Sequence, residues 1–167
     1  MGQGEGVAAV VMAAGAGRRM GYFPKSLLER DGEPLLLRQI RLLGEAGVEH
    51  IVVVLGHHAQ ALQAVLSQAR VPAPVSLHWV VNAVPDEGPG ASLRCGLAAL
   101  PADVGQLLVQ LADQPLLELP DVQAVLGHSS LISTLRYAEY ADGSAAFRAA
   151  RAIDASRGHR TPGPAGR

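Results

Sequence analysis

Residues 7–25 read VAAVVMAAGAGRRMGYFPK, and the rest of the chain is organised around this stretch. It opens with an apolar run at residues 7–13 that is rich in β-branched side chains and flanked by glycine. Such a run predicts a strand that is covered on both faces, as at the centre of a parallel sheet. A glycine-bearing loop at residues 14–21 follows directly. Because glycine permits positive φ and exposes backbone N–H groups, this loop can fold around phosphate oxygens.

Three cations accompany the loop, namely Arg18, Arg19 and Lys25. They place positive charge where a bound anion would lie, although a plain glycine turn with solvated cations would show the same residues. The stretch also differs from two familiar phosphate motifs. The P-loop requires glycine directly before Lys-Ser, where this chain has Pro24, and the dinucleotide fingerprint requires glycine where Met20 stands. The loop therefore indicates another kind of nucleotide site.

The composition is that of one globular domain. The 167 residues are 49% hydrophobic and 17% charged, with a formal net charge of −1. This balance favours a folded protein and gives no general attraction to nucleic acid or to anionic membranes. A single cysteine, Cys95, excludes an internal disulfide and suits a reducing compartment. Because we see neither a signal peptide nor an apolar run long enough to span a bilayer, we expect a cytoplasmic protein.

Strand patterns and helix patterns alternate along the chain. We predict strands at residues 7–13, 51–55, 75–82 and 106–111, with a further candidate at 131–140, and helices at residues 34–46, 58–69, 92–100 and 119–126. This alternation predicts an α/β fold with three layers, in which helices cover a Rossmann-like, mostly parallel sheet.

The end of the chain has a different character. Residues 145–167 are rich in Ala, Arg, Gly and Pro, with five arginines against the single acid Asp154. Residues 156–167 have the composition of a disordered segment. We therefore expect a folded domain over residues 1–143 and a divergent, partly disordered tail over residues 144–167.

We expect structural and not catalytic roles for several residues that could in principle take part in chemistry. Cys95 falls inside a predicted helix, which indicates a small core residue instead of a nucleophile. Trp79 lies in a predicted strand, where we expect core packing. His57 and His58 are expected to form the polar start of a helix, because adjacent helical residues point in different directions and chelate a metal poorly.

Three loops leave the carboxyl ends of predicted strands, which is where open α/β sheets bind ligands. They are residues 15–25, 82–92 and 113–115. Asp113 follows an apolar strand, where a carboxylate needs either a hydrogen-bonding cap or a cation. It therefore predicts a ligand of a hard cation such as Mg²⁺, or else a cap of the turn before Pro115. Together the loops supply the cations, backbone donors and carboxylate that nucleotidyl transfer needs.

Four motifs in this order resemble the MobA-like nucleotidyltransferases, and among them the molybdenum cofactor cytidylyltransferases. The motifs are MAAGAGRRMG from Met12 with Lys25 after it, GEPLL from Gly32, GASLRCGL from Gly90, and LADQP from Leu111. The resemblance covers about residues 7–127. It implies a Rossmann-like fold of the nucleotide-diphospho-sugar transferase type.

The resemblance also implies roles for the matched residues. The cradle for base and triphosphate would be formed by Ala13, Ala14, Gly15, Ala16 and Gly17. Arg18 and Lys25 would neutralise phosphate charge, Asn82 and Ser92 would contact the nucleotide, and Asp113 would bind Mg²⁺.

The implied reaction is Mg²⁺-dependent transfer of CMP from CTP to a molybdopterin-type cofactor, with release of pyrophosphate. Its rate would come from positioning and charge stabilisation, without a covalent enzyme intermediate. The implied partners are CTP or another NTP, the molybdopterin-type acceptor, and a molybdoenzyme or its maturation chaperone. Two alternatives stay open, namely a guanylyl- or sugar-phosphate nucleotidyltransferase and a non-catalytic nucleotide-binding remnant.

Departures from the family pattern affect base choice and the acceptor side. Ala13-Ala14-Gly15 resembles the cytidine enzymes, whereas Gly88-Pro89 resembles the guanine enzymes. Ala112 stands where the family has glycine, and Tyr22-Phe23-Pro24 makes the first loop longer and more apolar. Beyond Gly143 no family motif is found. We therefore expect a truncated or divergent C-terminal part, without an acceptor-side wall and with one metal ligand too few.

Overall fold

A parallel sheet forms the centre of the computed structural model, which describes residues 6–127 of the chain. Its four strands, in the spatial order β5-β4-β1-β6, are Gly6–Ala13 (β1), His50–Leu55 (β4), Ser76–Val81 (β5) and Val104–Leu111 (β6). A separate antiparallel hairpin is formed by Glu29–Arg30 (β2) and Glu33–Pro34 (β3). The helices are Leu35–Glu45 (α1), Ala59–Leu66 (α2), Pro89–Ala98 (α3) and Leu119–Gly127 (α4). The predicted α/β fold with a parallel sheet is confirmed.

β1 is a central strand, as its sequence predicts. It pairs in parallel with β4 on one side, where Ala9 lies opposite Ile51, and with β6 on the other, where Ala9 lies opposite Leu108. Its residues Ala8–Val11 are fully buried. Such burial of a Val or Leu side chain contributes about 1.5–3 kcal/mol. The carboxyl end of β1 is therefore held firmly at the middle of the sheet, and the glycine loop starts from this fixed point.

Helices cover both faces of the sheet and complete the three layers. On one face, α1, α2 and α4 supply a large apolar cluster that includes Leu36, Ile40, Leu62, Leu66 and Val122. On the other face, Leu93 of α3 packs with Val10 and Val54. Gly96 lets α3 approach the sheet closely, because an added Cβ would lie 2.6 Å from Val10 Cγ1 and 2.7 Å from Val54 Cγ2.

The β2–β3 hairpin turns through Asp31 and Gly32, both of which have positive φ. It is tied to α1 by Arg41, whose Nε and Nη2 donate to the two carboxylate oxygens of Glu33 at 3.1 and 2.8 Å. The hydrogen bond from Arg41 lowers the pKa of Glu33. The hairpin therefore has a fixed place beside α1.

Two sequence-based expectations are wrong in detail. α3 begins at Pro89 and not at residue 92, because proline suits the first turn of a helix and Gly88, at φ 98°, provides the turn that enters it. Trp79 is 37% exposed and is not a core residue, because β5 is an edge strand of the sheet. Its neighbour Val81 is 48% exposed for the same reason.

The remaining expectations concern parts of the chain that lie outside the described residues. These are the candidate strand at residues 131–140, the domain boundary after residue 143 and the character of residues 144–167. Within residues 6–127, none of the helices has the length and apolar character needed to cross a membrane.

Candidate functional site

A cleft of about 610 Å³ opens beyond the carboxyl ends of the parallel strands. The loops that follow β1, β4, β5 and β6 all contribute to its walls. Every predicted site residue except Asn82 lines this cleft: Ala13, Ala14, Gly15, Ala16, Gly17, Arg18, Lys25, Ser92 and Asp113. The parallel topology therefore brings together residues that are up to 100 positions apart in the sequence.

The loop after β1 depends on Gly17. This residue has φ 65°, and an added Cβ would lie 1.9 Å from the carbonyl oxygen of Phe23. Its own carbonyl oxygen accepts hydrogen bonds from the backbone N–H groups of Met20 at 2.9 Å and Tyr22 at 3.0 Å. Only glycine fits this turn without a change in the loop. At Gly15, in contrast, an added Cβ would have no other atom within 4 Å, so this side of the loop is open.

Gly56-His57-His58 after β4, which is not among the three loops predicted to form the site, supports the loop after β1. A Cβ added to Gly56 would lie 2.7 Å from the carbonyl oxygen of Ala14, so the two loops are in close contact. His58 Nε2 forms a hydrogen bond with the carbonyl oxygen of Ala16 at 2.8 Å. His58 is the N-cap residue of α2, which begins at Ala59, and its carbonyl oxygen accepts a hydrogen bond from the N–H of Leu62 at 3.0 Å. The two histidines therefore lie at the polar start of this helix, as predicted. The sequence could have indicated a role for this loop in the site, because it follows a predicted strand and so lies at the same edge of the sheet as the three predicted loops.

Arg18 and His57 share one carboxylate across the mouth of the cleft. Arg18 Nη2 donates to Asp86 Oδ1 at 3.0 Å, and His57 Nε2 lies 3.0 Å from the same oxygen. Asp86 belongs to the short 3₁₀ turn Pro85–Glu87 in the loop after β5. The Arg18 and Asp86 side chains are 68% and 66% exposed, so their pair contributes only about 0–1 kcal/mol. An anionic ligand can therefore replace Asp86 beside Arg18 at little cost.

Lys25 and Asp113 both line the cleft, but neither side chain has a hydrogen bond or an ion pair within the described part of the chain. Both residues are half-buried. Lys25 begins the 3₁₀ turn Lys25–Leu27, and Asp113 follows the last residue of β6 by two positions. The expected alternative, in which the Asp113 carboxylate caps the turn before Pro115, would require a hydrogen bond that is not found among residues 6–127. Both charges are thus available to a ligand.

The residues around Asp113 fit a hard cation that brings other ligands with it. No group of three or more His, Cys, Asp or Glu within residues 6–127 is arranged to hold a metal ion. Mg²⁺ binds to few protein carboxylates and takes its remaining ligands from phosphates and water. Asp113 would therefore hold such an ion together with the phosphate oxygens of a ligand and with water.

Asn82 lies behind the wall of the cleft instead of on it. Its side chain is buried, donates from Nδ2 to Ser92 Oγ at 3.0 Å, and accepts at Oδ1 from the N–H of Val84 at 3.0 Å. It therefore fixes the start of the loop after β5 and orients Ser92, which lines the cleft.

Comparison with known proteins identifies the class. Residues 9–157 match the model of a family described as MobA-like NTP transferase domain. Because this match covers most of the chain, the chain belongs to that family.

Individual relatives agree with this assignment. Bifunctional protein GlmU of Rhodococcus jostii (strain RHA1) is 39% identical over 117 residues, which make up 66% of this chain and 22% of GlmU. A nucleotidyl transferase of Methanothermobacter thermautotroptrophicus is 30% identical with a TM-score of 0.62, covering 75% of this chain and 58% of that one. The inositol-1-phosphate CTP transferase of T. maritima is 25% identical with a TM-score of 0.52, and the match covers 67% of this chain and 45% of that one.

The matched part of the chain spans less than two thirds of the length of each of these proteins. None of the three carries a name that points to the molybdenum cofactor cytidylyltransferases. The resemblance to that narrower group therefore stays a prediction, whereas membership of the MobA-like family is shown.

Proposed function

We propose that this chain is a metal-dependent nucleotidyltransferase, which binds an NTP in the cleft and transfers its nucleotidyl group to a phosphorylated small molecule. The observation that carries the proposal is the presence of one cation and one carboxylate, Lys25 and Asp113, that line the same cleft without partners among residues 6–127. A cleft that keeps opposite charges unpaired suits a ligand that brings both phosphates and a metal ion. Family membership supports the same reaction class.

In the proposed reaction, a phosphate oxygen of the acceptor bonds to the α-phosphorus of the NTP. The bond from that phosphorus to the α–β bridging oxygen breaks, and its electron pair leaves with pyrophosphate. Lys25 and Arg18 neutralise charge on the phosphates, and the backbone of residues 13–17 holds the nucleotide. Asp113 would hold Mg²⁺, which when bound supplies further charge neutralisation. The Arg18 guanidinium becomes available when the triphosphate displaces Asp86.

We propose CTP as the donor and a molybdopterin-type cofactor as the acceptor, on the strength of the motif resemblance. The similarity to a protein named as an inositol-1-phosphate CTP transferase also supports CTP. It equally supports a sugar- or polyol-phosphate acceptor as the alternative. A non-catalytic nucleotide-binding protein is the second alternative.

The test of this proposal is pyrophosphate release from CTP and Mg²⁺ in the presence of molybdopterin, of inositol-1-phosphate or of a hexose-1-phosphate. Release with molybdopterin supports the proposed acceptor, and release with one of the other compounds supports the alternative. Nucleotide binding without release with any acceptor favours the non-catalytic protein. If no NTP binds, the proposal is wrong.

CTP is expected to bind more tightly than GTP by about tenfold or more, the discrimination that a difference of one methylene group typically gives in a hydrophobic site. The expectation rests on Ala13-Ala14-Gly15, which resembles the motif of the cytidine enzymes, because a side chain at Ala14 leaves less room for a purine than glycine would. Calorimetric titration of both nucleotides measures the ratio. Ala14→Gly serves as the matched variant and should narrow the preference. Tighter binding of GTP by the unmodified chain would contradict this prediction.

Lys25→Ala is expected to weaken nucleotide binding by about tenfold or more, the value of a charge-assisted hydrogen bond. The melting temperature without ligand should stay unchanged, because the Lys25 side chain has no partner in the described residues. Arg70→Ala is the matched control, since Arg70 is an exposed cation that does not line the cleft. Equal affinities of Lys25→Ala and the unmodified chain would remove Lys25 from the site.

Lys25 also permits a chemical test, because it is the only lysine in the sequence. An amine-acylating reagent should modify Lys25 and the N-terminus alone. Mass spectrometry should then show that CTP with Mg²⁺ protects Lys25 and leaves the N-terminus reactive.

A further inference from the structure

Two buried glutamine side chains connect α1 and β6 to the turn that carries Asp113. Gln39 of α1 is fully buried and Gln110 of β6 is 6% exposed. The Gln110 side-chain amide donates to Gln39 Oε1, and Gln39 Nε2 donates to the carbonyl oxygen of Gln114 at 2.6 Å. One chain of two hydrogen bonds thus joins the residue three positions before Asp113 to the residue directly after it.

Two arginines hold the residues that follow. Arg38 of α1, which is 5% exposed, donates to the carbonyl oxygen of Leu117 and forms an ion pair with Glu118 at 2.9 Å. Arg30 of β2 donates to the carbonyl oxygen of Pro115 at 2.5 Å and pairs with the other carboxylate oxygen of Glu118 at 2.6 Å. Residues 114–118, which we call the anchored segment, are therefore held from α1 and from the hairpin.

Gln39 and Gln110 are polar side chains at buried positions, where apolar side chains are usual. Gln39 lies between the core residues on α1, where a leucine of similar size would bury apolar surface without the need for partners. A buried amide requires a full set of hydrogen bonds and adds little net stability when it has them. The network therefore determines where the anchored segment lies more than how stable the fold is.

We propose that Gln39, together with Gln110, is a positioning pair for the Asp113 carboxylate, an inference that rests on the proposed function. The Asp113 side chain has no bond of its own within residues 6–127, so its direction is set by the backbone on either side of it. Gln110 and Gln39 fix that backbone before and after Asp113. Outer-shell partners of a metal ligand typically change metal affinity by about 10- to 100-fold when they are removed, and we expect the lower end of this range for groups that act through the backbone.

The test is the double variant Gln39→Leu with Gln110→Leu, studied by thermal shift with saturating CTP and increasing Mg²⁺. The melting temperature without ligand should fall only slightly, because both partners of the central hydrogen bond are removed together and only the half-buried Gln114 carbonyl loses its donor. The Mg²⁺ concentration that gives half of the CTP-dependent shift should rise by about tenfold or more. Binding of CTP in EDTA should be unchanged.

Gln106→Leu is the matched control. Gln106 also lies on β6, and its Nε2 donates to the carbonyl oxygen of Leu126 at 2.8 Å. This variant loses one glutamine-to-backbone hydrogen bond that does not involve the anchored segment. Gln106→Leu should not change the Mg²⁺ midpoint, which is the Mg²⁺ concentration that gives half of the CTP-dependent shift. An equal rise in Gln106→Leu and in the double variant would overturn the inference, because the effect would then be a general loss of stability.

The outcomes separate this inference from the proposed function. If the unmodified chain shows no Mg²⁺-dependent shift with any NTP, the proposed function and the positioning pair fail together. If the unmodified chain responds and the double variant has the same Mg²⁺ midpoint, the positioning pair alone is wrong. Gln39→Met, which keeps an unbranched side chain of similar length, repeats the measurement if the double variant does not fold, and an unchanged midpoint there has the same consequence.

Discussion

Asp113→Asn is expected to abolish the Mg²⁺-dependent stabilisation by CTP while leaving the ligand-free protein close to its normal stability. Asparagine keeps the shape of the side chain but removes the charge that a hard cation requires. A ligand at a hundredfold its dissociation constant stabilises a protein by about 2.7 kcal/mol, or roughly 5–10 °C in melting temperature for a chain of this size. We expect Asp113→Asn to lose this whole shift in melting temperature. Thermal denaturation with and without Mg²⁺ and CTP measures the loss.

The matched control is Asp103→Asn, because Asp103 is exposed and directly precedes the opposite end of the same strand, β6. It should keep the full shift. If the Asp113 carboxylate instead capped the turn before Pro115, its loss would lower the ligand-free melting temperature and leave the response to CTP intact. The structure shows no such capping hydrogen bond within residues 6–127. An Asp113→Asn variant that keeps the complete Mg²⁺-dependent shift would exclude Asp113 as the metal ligand.

The position of the cleft could be predicted from the sequence because it follows from the topology. Apolar runs identify β1 and β4 to within one residue, and parallel strands place their carboxyl ends at one edge of the sheet. Loops with glycine, cations or an acid after those ends are then expected to meet. In the structure, Lys25, Ser92 and Asp113 do line one cleft.

The exposure of Trp79 could not be predicted, because it depends on the order of the strands. The runs that form β4 and β5 are both largely apolar, yet β4 is enclosed between two strands and β5 has only one neighbour in the described sheet. A local pattern gives the identity of a strand but not its place in the sheet. The same ambiguity makes Val81 a surface residue.

The contacts of the anchored segment also could not be predicted from local sequence patterns. The helical period correctly places Leu36, Ile40 and Leu43 of α1 in the core. Arg38 and Gln39 of the same helix are also buried, which was not predicted, and the groups that satisfy them lie 75–80 residues away in sequence. Pairing over such a separation is set by the packing of α1 against the end of β6. The hairpin had a local signal, Asp31-Gly32, which is a preferred dipeptide for tight turns with positive φ.

Gly17→Ala is expected to disrupt the loop after β1 and to abolish detectable binding of CTP. A non-glycine residue at φ 65° costs roughly 1–2 kcal/mol, and the new Cβ would lie 1.9 Å from the carbonyl oxygen of Phe23, which has to move. The movement would break the hydrogen bonds from Met20 and Tyr22 to the Gly17 carbonyl. Chemical denaturation and calorimetry with CTP measure the two effects separately.

Gly15→Ala separates an effect on contacts with the nucleotide from an effect on the fold of the loop. At Gly15 an added Cβ meets no other atom within 4 Å and the backbone is not in the left-handed region, so the ligand-free stability should be unchanged. Because Gly15 lines the cleft, its new methyl group would occupy space that the nucleotide needs, and CTP affinity should still fall. If Gly17→Ala binds CTP as tightly as the unmodified chain, the turn at Gly17 is not part of the binding loop. If Gly15→Ala does so, the open side of the loop is not where the nucleotide lies.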